Sequence, residues 1–89
     1  MSRRDEFLAS MREKWEALRQ RVEGLASRIE AGSLADLRAE LEVVHTRLAS
    51  AMRAGAELGE EAMRSLGAAM ERLAAAVRRA EEGDRRASD

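Results

Sequence analysis

The stretch Leu48-Ala49-Ser50-Ala51-Met52-Arg53-Ala54-Gly55-Ala56-Glu57-Leu58-Gly59-Glu60-Glu61 decides how many helices this chain makes. Gly55 and Gly59 are its strongest local punctuation, and two glycines so close together mark a turn. Glu60 and Glu61 then stand where carboxylates suit the N-terminal end of a helix dipole. Two features point the other way. No Ser, Thr, Asp or Asn caps a helix opening at residue 59, and a stripe with extra four-residue steps (Leu48, Met52, Gly55, Gly59, Met63, Leu66) runs straight through. One helix over 33–82 would be ~75 Å long at 1.5 Å per residue. The glycine signal carries more weight, so a turn is expected.

Working outward, residues 8–29 follow a strict heptad. Leu8, Trp15, Val22 and Ile29 take one seam position and Met11, Leu18 and Leu25 the other. Alternating steps of three and four keep such a stripe on one face of an underwound helix. Gly32 is expected to end this first helix with a positive φ. Ser33 then caps the second helix, with Asp36 three residues on as an imperfect capping box. Leu34, Leu37, Leu41, Val44, Leu48 and Met52 carry the second stripe, and Met63, Leu66, Met70, Leu73 and Val77 the third. At helical spacing the methionines Met11, Met52, Met63 and Met70 are expected in the core rather than on an adaptable binding face.

The expected fold is all-α, an antiparallel helical hairpin extended to a three-helix bundle. Its helices cover about 3–31, 33–54 and 59–82 in one domain, 1–82, with a frayed polar tail at 83–89. The alternative is a two-helix hairpin with one long second helix in a coiled-coil oligomer. Pairing the first two helices about residue 31 sets Arg21 level with Glu42, Arg28 near Asp36 and Trp15 opposite Leu48. Folding the third back about residue 57 brings Trp15 near Leu66 and Gly67, where a missing side chain would give the indole room.

Composition narrows the function. There is no Cys, which excludes disulfides and thiolate metal or redox sites, and no Pro or Tyr. Sixteen basic and 17 acidic side chains alternate to a net charge of −1, so no block attracts phosphate backbones and no nucleic acid is expected. All but Lys14 of the basic residues are Arg, which with the wealth of Ala points to a GC-rich bacterial genome. No long apolar run occurs near Met1, so neither a signal peptide nor a membrane span is expected and a cytoplasmic location follows. Small chains bury modest cores, which favours a homo-oligomer or another helical protein as partner.

One chemical motif stands out. Glu42-Val43-Val44-His45 places a carboxylate and an imidazole on one helix face, as di-iron bundle proteins require. Those sites need further inward carboxylates and a second such motif; here a symmetric dimer would have to supply it, with Glu16 or Glu23 as further ligands. Both motif residues flank the seam rather than lie in it. The expectation is therefore no bound metal, no cofactor and no catalytic residue, with Glu42 and His45 the only metal candidates. Ser and Thr are scattered without a His–acid arrangement, so no enzyme activity is expected.

The opening Met1-Ser2-Arg3-Arg4-Asp5-Glu6-Phe7-Leu8, then Met11, Trp15, Leu18, Val22 and Leu25, resembles small bacterial coiled-coil proteins of the cyanobacterial-type stress-response group. The segment Gly59-Glu60-Glu61-Ala62-Met63 through Leu73 is similar to their amphipathic tail, although Met63 and Met70 stand where Trp is common in the group. The resemblance implies a helical, oligomeric, non-enzymatic protein linked to stress. The expected function is thus a non-catalytic coiled-coil structural or protein-interaction module. Two alternatives remain: a peripheral protein whose amphipathic last helix opens onto a membrane surface, and a metal-binding bundle. Mixed charges on the polar face weigh against the first.

Overall fold

At Gly55 the backbone turns with φ 52° and ψ −119°. That region is closed to side-chain-bearing L residues by clash at Cβ and open to glycine. In the computed structural model, which describes residues 3–88, α1 spans Arg3–Gly24 and α2 Ala31–Ala54, and a short 3-10 turn, Gly55–Glu57, leads into α3, Glu60–Ser88. The three helices pack against one another as an all-α bundle of 48 × 19 × 18 Å, without a strand among the described residues. The stripe running through the glycines therefore does not make one long helix. Met1, Ser2 and Asp89 lie outside the described residues.

The first helix is shorter than its heptad. It stops at Gly24, and residues 25–30 form the connection. Leu25 N–H donates to the Val22 carbonyl at 3.0 Å, Ala26 N–H to Glu23 at 3.2 Å and Arg28 N–H to Leu25 at 2.9 Å, which are bonds of three-residue span. Such tight turns keep apolar residues recurring every three or four positions. Leu25 accordingly stays buried and Ile29 half-buried although neither is helical. The heptad thus recorded which residues face inward, not where the helix ends.

Gly32 does not stop α1 and Ser33 does not cap α2; both lie inside the first turn of α2. Glu30 takes the capping position with extended backbone (φ −61°, ψ 147°) and no side-chain cap bond, and its carbonyl accepts the Leu34 N–H at 3.0 Å. The lost side-chain cap is a modest penalty against the burial of Leu37, Leu41, Val44 and Leu48 on this helix.

The core joins these leucines to Leu8, Met11, Leu18 and Val22 of α1 and to Leu66, Met70, Leu73 and Val77 of α3, with Trp15, Ile29, Leu34 and Met63 half-buried against it. Ala51, Leu58 and Ala69 are buried as well. Met52 is 43 % exposed, contrary to the expected stripe. The strict four-three spacing Leu37, Leu41, Val44, Leu48 continues onto Ala51, then across the turn to Leu58, and leaves Met52 outside.

The early end of α1 also shifts the registers. Trp15 meets the His45 ring and the Leu41 carbonyl, toward the N-terminal end of α2 from the expected match, Leu48. Arg21 pairs with Glu81 and Arg28 with Asp84, both on α3, not with Glu42 and Asp36. A match of Arg21 with Glu81 puts Leu66 and Gly67 level with Glu6 and Phe7 near the start of α1, not with Trp15. A Cβ added at Gly67 would meet nothing within 4 Å, so that glycine is not a slot for the indole.

The polar segment expected to fray continues α3 as far as Ser88. Glu81 is held by Arg21 of α1 and Asp84 by Arg28 of the connection, on the inner side of this last stretch, and Ser88 Oγ donates to the Asp84 carbonyl at 3.0 Å. Those tethers keep the helix wound past residue 82.

Candidate functional site

Trp15 sets the geometry of the most distinctive surface. Its indole N–H donates to the Leu41 carbonyl of α2 at 2.9 Å, and its ring lies 4.7 Å from the His45 imidazole at 43°. The hydrogen bond satisfies the one polar atom of a half-buried indole, as buried Trp requires. It also clamps α1 to α2, because the Leu41 carbonyl belongs to the backbone of α2. Beside this pair the two helices leave an open groove of about 560 Å³. Trp15, Leu48 and His45 line it with Met52, Ala9 and Ala49, and Arg12, Glu13 and Glu16 of α1 form a charged rim.

The groove arises from the way two outer stripes meet. On α2, Glu42, His45, Ala49 and Met52 repeat at steps of three, four and three, one face over from the buried seam. On α1, Ala9, Arg12 and Glu16 do the same. Small Ala9 and Ala49 keep the walls low. Toward the C-terminal end of α1, ion pairs follow the groove: Arg38 grips both oxygens of Glu23 at 2.7 and 3.1 Å, and Arg19 holds Glu16 within α1. These arginines hold the Glu23 and Glu16 carboxyls below the usual carboxylate range through direct hydrogen bonds. On the other side of the bundle Arg21 lowers Glu81 in the same way.

The metal candidates both lie on the outer stripe of α2. The His45 ring lies tilted against Trp15, while Glu42 is exposed further along the same outer stripe. Glu16 and Glu23, the further ligands considered, each hold an arginine. Among the described residues, no three His, Asp or Glu side chains are grouped so as to hold a metal ion. The apolar stripe of α3 is turned inward against α1 and α2, and no helix among the described residues is long and apolar enough to cross a membrane. Exposed Val43, at 52 %, lies in a second, shallower groove between α2 and α3.

Reasoning on the sequence missed Met52, Ala49 and Ala9 as surface-forming residues, although the spacing of Glu42, His45, Ala49 and Met52 is legible there. The groove itself depends on the register of α1 against α2, which no single stripe records. No protein-family model matches this chain, and no curated protein or solved structure is detectably similar to it.

Proposed function

We propose that this chain is a non-catalytic helical interaction module, and that the α1–α2 groove is the face it presents to another helix. One observation carries the reading: half-buried Trp15 and exposed Met52 line the same open groove of a small bundle whose other apolar stripes are turned inward. Aromatic and methionine side chains are enriched at such interfaces because they contribute large contact area and adapt their shape to a partner. The low alanine walls suit a helix lying along the groove, and the rim of Arg12, Glu13 and Glu16 gives it polar edges. A link to stress, implied by the resemblance of the N-terminal third, belongs to the same proposal, as does a cytoplasmic setting.

A photo-crosslinking amino acid placed at Met52, and in a second protein at exposed Ala68 on α3, tests the reading in the native host. Adducts are expected from position 52 and not from position 68. Equal yields at both positions, or none at 52, would remove the groove from consideration.

A further inference from the structure

We propose that the occupant of the groove is a second copy of the same chain, whose α2 lies antiparallel to the first about a two-fold axis at Ala49. The inference rests on the interaction-module reading and names its partner.

Three features of α2 converge on that axis. Ala49 is small enough for two helices to approach closely, and it lies at the centre of the outer stripe. His45 precedes it by four residues and Met52 follows it by three. An antiparallel two-fold about Ala49 therefore sets each Met52 one residue from the level of the partner's His45, beside the face that Trp15 and His45 share. A thioether against aromatic rings is a favourable contact, and a two-fold interface makes it twice.

Charge decides between a second copy and a foreign helix. Glu42 stands seven residues before Ala49 and Arg53 four after it, and both are exposed. Rotation about the axis leaves each Arg53 about three residues short of the partner's Glu42. That is ~4.5 Å along a helix, a gap an arginine side chain spans. Among the described residues Arg53 makes a long hydrogen bond, 3.4 Å, to Ser50 Oγ and no ion pair. A foreign helix would need an anion facing Arg53 and a cation facing Glu42 at the matching spacing. A second copy carries both, because the two-fold exchanges them. Complementary charges of this kind fix register and exclude wrong partners.

Sedimentation equilibrium of the full chain across the micromolar range tests the arrangement. The expected mass is twice that of the chain. Arg53→Glu and Glu42→Arg should each weaken self-association by about tenfold or more, since each sets like charges opposite one another. The double variant carrying both changes should regain the lost affinity, because it rebuilds the pair with its signs exchanged. These positions are exposed, so far-UV circular dichroism should match the parent in every variant. A monomer at all concentrations overturns the proposal. So does a dimer indifferent to both reversals, or a double variant no tighter than the single ones. In each of those cases crosslinking from Met52 to a different protein would leave the interaction-module reading standing, and its absence would remove that too.

Discussion

The chain reverses direction twice, at 25–30 and at 55–59, and the two reversals are held by different means. At the second, Gly55 adopts a backbone that only glycine takes easily, and its carbonyl accepts the Leu58 N–H at 3.1 Å. At the first, no residue has a positive φ, and short-span backbone bonds wind the chain out of α1 instead. Yet glycines flank this connection too, at Gly24 and Gly32. A glycine therefore signals a turn only where the turn demands its conformation; elsewhere it is a helical residue without a side chain. Each reversal also tucks one leucine inward, Leu25 in the first and Leu58 in the second, both about 5 % exposed. Leu58 belongs to the main core cluster, whereas Leu25 is buried outside it.

That contrast can be tested most severely at the leucines. Leu58→Ala should cost ~2–5 kcal/mol, the range for truncating a packed leucine, and Leu25→Ala should fall below it because less of the core is disturbed. Urea unfolding monitored by circular dichroism gives both values. A larger loss at Leu25 would mean that the first connection anchors the bundle.

Glycine substitutions come next in size. Gly55→Ala should destabilise by ~1–3 kcal/mol, the cost of a side chain held in that backbone region, even though a Cβ there would meet nothing within 4 Å. Gly67→Ala should do the opposite. Gly67 lies within α3 with open space around it, so the better helix former should raise stability by up to ~1 kcal/mol. Thermal melts that moved in the same direction for both variants would break the distinction between the two kinds of glycine.

The smallest expected effect is electrostatic. Hydrogen bonding from Arg21 holds the folded-state Glu81 carboxyl below its ordinary value of 4.5. A carboxyl depressed on folding adds stability that is fully present above about pH 4.5 and is lost as the pH falls through the lower folded value. The pair is partly exposed, so its contribution is ~0.2–1 kcal/mol. Glu81→Gln should lower the melting temperature slightly at neutral pH. The gap between variant and parent should close as the pH drops below the carboxylate range. A gap that persists in acid would show that Glu81 acts through packing rather than charge.

These comparisons also locate what the sequence could and could not convey. Inward-facing residues were legible because the heptad fixes them in helix and tight turn alike, as Leu25 demonstrates. For the same reason the end of α1 was not. With it went the register, and with the register the partners of Arg21 and Arg28 and the surroundings of Trp15. The exposure of Met52 was legible from strict four-three spacing, which runs from Leu48 to Ala51 and not to Met52. The groove was not, since it exists only once α1 and α2 are aligned by the Trp15 hydrogen bond.

That hydrogen bond makes Trp15 a built-in optical clock. It is the only tryptophan of the chain, and the Leu41 carbonyl and the His45 ring that it meets both belong to α2. Its fluorescence therefore follows the closure of the α1–α2 hairpin directly, whereas circular dichroism at 222 nm follows the winding of every helix. In a stopped-flow refolding experiment, coincident traces would mean that hairpin closure and the docking of α3 occur in one step. An emission change that runs ahead of the dichroism would time the hairpin as the earlier event, without any label being attached.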